Sequence, residues 1–171
     1  MSNLDAITRF MPDIRMRLHL DRLKPHSAHT SLVRIDDHER LGAVFSAYRR
    51  VGRRVETALD NPLSIPMTVA EVAGMLDTFS ASNRAAFLDY CEKLKHEPVL
   101  PLWTLPAYDL GGGQLFLLDG NHRAVAAYLS ERPFKLDMLV LHAPVDRRIL
   151  VSLKYWDGGL RRFWRRWRQA G

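Results

Sequence analysis

The 171-residue chain predicts a mixed α/β domain, a small sheet flanked by helices, on three observations. Apolar residues make up 47% and charged residues 26%, the balance of a chain that buries a core beneath a solvated surface. Apolar runs of strand length alternate with runs whose apolar residues recur every three or four positions. One such run, Leu115 to Leu118, passes through Asp119-Gly120 directly into the helix-forming Ala124-Val125-Ala126-Ala127. The length fits a single domain over 1–171.

Several classes are excluded at once. The composition is not that of a disordered tail, a collagen-like rod or a disulfide-rich miniprotein. Cys91 is the only cysteine, which rules out an internal disulfide and a thiolate-built zinc site. No transmembrane segment is expected, because no stretch approaches the roughly 18 apolar residues that a spanning helix needs. The first residues carry acids and no continuous apolar core, so they do not read as a secretory signal. The expected compartment is cytoplasmic.

Along the chain, Met16, Leu18 and Leu20 alternate with polar residues and predict a short strand that Pro25 stops. From Asp36 to Leu59 the apolar residues Leu41, Val44, Phe45, Tyr48, Val51, Val55 and Leu59 fall at steps of three and four. That spacing predicts one amphipathic helix with Arg49, Arg50, Arg53 and Arg54 on a solvated face. Thr68 and Glu71 form a capping box that opens a short helix, and Ser80 or Ser82 caps another carrying Phe87, Leu88, Cys91 and Leu94. The whole of 36–95 is expected as a helical insertion.

Beyond Pro98 the pattern changes. Val99 to Trp103 and Gln114 to Leu118 read as buried strands joined through Gly111-Gly112-Gly113, a hairpin connection rather than a phosphate loop. A short helix follows Asp119-Gly120-Asn121 and ends before Pro133, and Leu136 to Leu141 supplies the last strand.

The net charge of +6 is concentrated at one end. Arg147 to Gly171 contains eight basic residues and one acid, a net of +7, which leaves −1 for the rest. Within the expected basic aromatic C-terminal helix, 156–171, Leu160, Phe163, Trp164 and Trp167 share one face and five arginines fill the others. Such a helix suits nucleic acid or another anionic partner, such as a lipid surface, or a hot spot against a protein partner, and equally suits docking on its own domain.

The segment Leu115 to Ala126 carries the most chemical information. An apolar strand, a glycine turn and a helix start leave the first-turn N–H groups and the positive end of the helix dipole free to meet an anion. His122 and Arg123 stand at the same place and add charge-assisted donors. Gly120 permits a positive φ or close approach of a ligand, and Asp119 would cap the helix or hold a metal ion or hydroxyl. A plain strand-to-helix turn with solvated His122 and Arg123 satisfies the same residues. His26, His29 and His38 with Asp36 and Asp37 are more simply loop residues than a metal site. Thr68 to Phe87 could mimic a DNA-binding helix-turn-helix, but Arg84 is its only base.

On these residues the chain resembles the ParB/sulfiredoxin superfamily in two pieces. One is Pro98-Val99-Leu100 followed by Leu117-Leu118-Asp119-Gly120-Asn121-His122-Arg123 and Ala126-Ala127. The other is Leu20-Asp21-Arg22-Leu23-Lys24-Pro25-His26, similar to that family's first strand and L-x-P turn. The resemblance implies a ParB/sulfiredoxin-like fold that binds a nucleoside triphosphate, ATP or CTP with Mg2+. Gly120, Asn121, His122, Arg123 and Ser27 would bind the nucleotide. Asp119 and His26 would be catalytic, and Asp119 would also hold the metal.

The branches differ in chemistry. Sulfiredoxins need a cysteine where Asn121 stands, and no partition role is expected, because the 30 residues given after Leu141 are too few for the helix-turn-helix domain that partition proteins carry. The D-G-x-H-R pattern is closest to the free-serine-kinase-like branch, although Ser27 replaces the glutamate that activates the substrate hydroxyl there. The expectation is therefore a phosphotransferase or NTPase acting on a small-molecule acceptor. The alternative is a non-enzymatic nucleic-acid-binding or regulatory module that uses the arginine-tryptophan tail. No paired-carboxylate site favours a nuclease.

Overall fold

The computed structural model describes residues 5–23, 27–56, 61–97, 102–130 and 132–156. Two one-turn helices, α1 (Asp5–Thr8) and α2 (Met11–Ile14), precede the sheet. Strand β1 (His29–Ile35), helix α3 (His38–Ala43) and strands β2 (Phe45–Val51), β3 (Arg54–Glu56) and β4 (Ile65–Thr68) follow. Then come α4 (Val69–Ala73), α5 (Ala81–His96), β5 (Trp103–Gly111), β6 (Gln114–Leu117), α6 (Asn121–Leu129) and β7 (Leu136–His142).

The described strands form one seven-stranded mixed sheet in the order β1-β7-β5-β6-β2-β3, with β4 pairing with β2. β5 runs parallel to β7 and antiparallel to β6, and β6 runs parallel to β2. Both faces are covered. On one, Leu41, Val69, Val72, Phe87, Ala124 and Val125 of the helices pack against Leu105, Ala107, Leu117, Met138 and Val140. On the other, Ile7, Ile14, Leu18, Ile149 and Leu150 cover Tyr108, Phe116, Leu139 and Leu141. A strand covered on both faces is apolar in a near-continuous run rather than alternating, as Met138 to Leu141 is.

Local signals account for many of the elements. Thr68 Oγ1 accepts from Glu71 N–H while Glu71 Oε2 accepts from Thr68 N–H, and Ser80 Oγ accepts from Asn83 N–H at the start of α5. Gly111, Gly112 and Gly113 all have positive φ, and they turn the chain from β5 into β6 as the hairpin reading expects.

The helix expected over Asp36 to Leu59 is corrected. Asp37 caps a short α3 whose Leu41 is buried, but at Val44 the backbone becomes extended (φ −67°, ψ 131°). β2 then pairs with β6, β4 and β3, and Ser46, Ala47, Tyr48 and Arg49 are buried in succession. A strand buried on both sides hides the alternation that would betray it, while three- and four-residue steps arise by chance across the α3–β2 junction. The 36–95 insertion is consequently part sheet, contributing β2, β3 and β4.

The strand expected at Met16 to Leu20 is likewise absent. Leu18 is buried and makes a single bridge to Leu150, Met16 is exposed, and Leu20–Arg22 form a 3-10 turn. Val99, Leu100 and His26 lie outside the described residues, as does the expected C-terminal helix after Trp156. Trp156 itself packs edge-on against Phe45 and Phe116.

Candidate functional site

The end of β6 turns into α6 within three residues. Leu118 N–H donates to Pro106 O at 2.9 Å, and Gly120 then adopts the left-handed conformation (φ 80°, ψ 21°) as the residue that caps α6. A side chain is excluded there twice over: by the positive φ, and because a Cβ would lie 2.5 Å from Leu105 Cδ2. Ala124 N–H donates to Gly120 O at 2.9 Å, so the first intrahelical bond leaves the N–H groups of Asn121, His122 and Arg123 without an intrahelical acceptor.

That helix start opens onto a cavity of about 310 Å3. β2 contributes Ala47 and Tyr48, α5 contributes Asn83 and Tyr90, and Asp119 to Arg123 form the floor. Arg17 closes the wall from the segment between α2 and the Leu18 bridge.

Arg123 donates from Nη2 to Asp119 Oδ2 at 3.0 Å, an i,i+4 ion pair with both side chains partly exposed. Arg17 makes no recorded ion pair or side-chain hydrogen bond among the described residues. Burial lowers its guanidinium from the ordinary value, and the field of Tyr48 and Asp119 opposes that shift. Arginine nevertheless stays cationic. Two guanidinium groups therefore face one carboxylate, beside the positive end of a helix dipole, and the cavity favours an anion.

His122 Nε2 lies 3.2 Å from Tyr48 Oη, and the imidazole rests against Phe87 with 4.4 Å between ring centroids. Burial holds its pKa below the ordinary value of 6.5, against the weaker pull of Asp119. Tyr90 lies parallel to His122, with an interplanar angle of 8°. Burial raises the Tyr48 phenol, which remains protonated and able to donate.

The cavity thus gathers five expected residues, Asp119, Gly120, Asn121, His122 and Arg123. Their roles differ. The Asn121 side chain accepts from Ala47 N–H at 2.8 Å, so it fastens α6 to β2, and its backbone N–H faces the helix start. Ser27, expected to bind the nucleotide, is exposed and does not line the cavity, and His26 lies outside the described residues. Arg17 and Tyr48 line it instead.

Sequence reasoning missed Arg17, Tyr48, Asn83 and Tyr90. Arg17 lies far from Asp119 in the chain, and Tyr48 was assigned to a helix. Of the arginines expected on a solvated face, Arg49 is 2% exposed and Arg50 pairs with Glu71 at 3.6 Å.

Among the described residues no group of three or more His, Cys, Asp or Glu side chains is placed to hold a metal ion. Nor is any described helix long and apolar enough to cross a membrane. Comparison with family models, curated proteins and solved structures finds no match for the chain.

Proposed function

We propose that the protein binds a nucleoside triphosphate, ATP or CTP, with its phosphates at the start of α6. The single observation that carries this reading is the pairing, across one cavity, of three first-turn N–H groups that have no intrahelical acceptor with the Arg17 guanidinium, which has no ion pair or side-chain hydrogen bond among the described residues. Helix N–H groups and arginine both match phosphate oxygens in geometry and charge. Arg123 is the second cation, already turned toward the cavity by Asp119. The Tyr90 ring and the Asn83 amide on the α5 wall offer a flat face and a hydrogen-bonding edge, the chemistry that a nucleobase uses. At about 310 Å3 the cavity falls within the usual range for small-molecule sites.

A magnesium ion accompanying the nucleotide would neutralise charge between the phosphate oxygens. Asp119 is the one carboxylate lining the cavity among the described residues. That sparse donor set fits an ion held mainly by phosphates and water. Asp119 is also a candidate base for phosphoryl transfer to a small-molecule acceptor or for hydrolysis. Its ion pair with Arg123 holds it at the helix start.

Calorimetric titration with ATP, ADP, CTP and GTP, each with and without magnesium, tests the proposal. Saturable binding of ATP or CTP is expected, weaker for the diphosphate. Absence of binding by all four would overturn it.

A further inference from the structure

A second group of side chains lies apart from this cavity, across three neighbouring strands. On β5, Leu105 and Ala107 face the helix-covered core; on β7, Met138 and Val140 do; on β1, Val33 and Ile35 do. Side chains two positions apart share a face of a strand. Continuing each row places Asp109, His142 and Ser31 on that same face, where the apolar cluster gives way to polar groups. Strand order brings them together, because β7 pairs with β1 on one side and with β5 on the other.

Their contacts form a chain. Ser31 Oγ lies 2.7 Å from His142 Nε2, and His142 Nδ1 lies 2.8 Å from Asp109 Oδ2. The other carboxylate oxygen of Asp109 accepts from Gly111 N–H at 2.8 Å, at the glycine hairpin. His29, directly opposite His142 in the register, stacks on it at 4.6 Å and 10° and fixes the plane of the imidazole.

An ionised Asp109 can only accept, so Nδ1 carries the proton and Nε2 presents its lone pair to the Ser31 hydroxyl. The hydrogen bond from Gly111 and the neighbouring imidazole hold the Asp109 carboxyl below its usual range. His142 and Asp109 side chains are 28% and 31% exposed, and Ser31 is half-buried, so a substrate can reach them. None of the three lines the α6 cavity.

We propose that Ser31, His142 and Asp109 form an acyl-transfer centre that hydrolyses activated esters. Nucleophile, base and orienting carboxylate occur in the order and contacts that this chemistry requires. Ser31 Oγ attacks the carbonyl carbon as its proton passes to His142 Nε2. The tetrahedral intermediate expels the alcohol, which takes that proton, and leaves an acyl-Ser31 ester. Water then attacks the ester with His142 as base, releasing the acid and restoring the serine. His142 is the one side chain recorded in hydrogen-bond contact with Ser31 among the described residues. The centre suits esters whose leaving group needs little assistance, such as aryl esters and thioesters.

A fluorophosphonate probe tests this on the full chain. Ser31 Oγ would displace fluoride at phosphorus, with its proton passing through His142 to yield hydrogen fluoride. Intact mass should show one adduct, mapped to the Ser31 peptide and missing from Ser31→Ala. Labelling of Asp109→Asn should be roughly 100-fold slower, the usual scale of acid–base assistance. p-Nitrophenyl acetate turnover should fall with the same variants, and Ser31→Cys should retain acylation. No adduct on the wild type, or an adduct that persists on Ser31→Ala, would overturn the proposal. Equal labelling of a folded Asp109→Asn would do so as well.

Discussion

Ala47 N–H donates to Asn121 Oδ1 at 2.8 Å, tying the middle of β2 to the first turn of α6. Ala47 itself is only 6% exposed. Removing the acceptor should cost about 1–3 kcal/mol, the penalty for a buried amide left unsatisfied. Asn121→Ala should show that loss in urea unfolding. Asn121→Asp, which keeps an acceptor oxygen, should lose less.

Gly120→Ala should be more damaging than an ordinary glycine substitution. It adds a left-handed backbone penalty to a Cβ that meets Leu105 Cδ2 at 2.5 Å. Strain at a positive-φ position alone is worth about 1–3 kcal/mol. A thermal melt unchanged from wild type would contradict the geometry of the α6 start.

Arg49 is a structural cation. Its guanidinium donates to Ser64 Oγ at 2.7 Å, Ser152 O at 3.1 Å, Tyr155 O at 3.0 Å and Ser64 O at 3.3 Å. It therefore joins β2 to the segment after β7. Arg49→Ala would strand several buried acceptors and should cost about 3 kcal/mol or more in chemical denaturation. Arg49→Lys should recover little, since one ammonium cannot span the same fork.

Burial sets the pH response of His122. Its native pKa lies below 6.5, so on acidification the unfolded chain takes up a proton that the native state resists. This contribution to stability is fully present above 6.5 and is lost as pH falls from there through the native pKa. His122→Gln should flatten that part of the stability profile in urea midpoints measured from neutral pH downward. A variant whose midpoints fall in parallel with wild type would assign the acid sensitivity elsewhere.

The sequence made the floor of the cavity legible and left its walls dark. Strand, glycine turn and helix are local features, and so are the Thr68–Glu71 capping box, the Ser80 cap and the glycine hairpin. Each is decided by residues a few positions apart. β2 is different. Its polar Ser46 and Arg49 are tolerated inside because Met67 O, Ser64, Ser152 O and Tyr155 O satisfy them from distant segments. No local pattern announces such partners, and the same residues therefore resembled an amphipathic helix. Arg17, Tyr48, Asn83 and Tyr90 reach the cavity only through that tertiary arrangement, as do Ser31, His142 and Asp109 on their three strands.

The most direct measurement is an amide proton–nitrogen NMR titration of the protein with ATP or CTP and magnesium. The phosphate assignment predicts that the amides of Asn121, His122 and Arg123 shift first and furthest, together with the Arg17 Nε–H, and that Arg17→Ala weakens binding about tenfold, the equivalent of about 1.4 kcal/mol. Saturable binding that leaves those amides unmoved would contradict it.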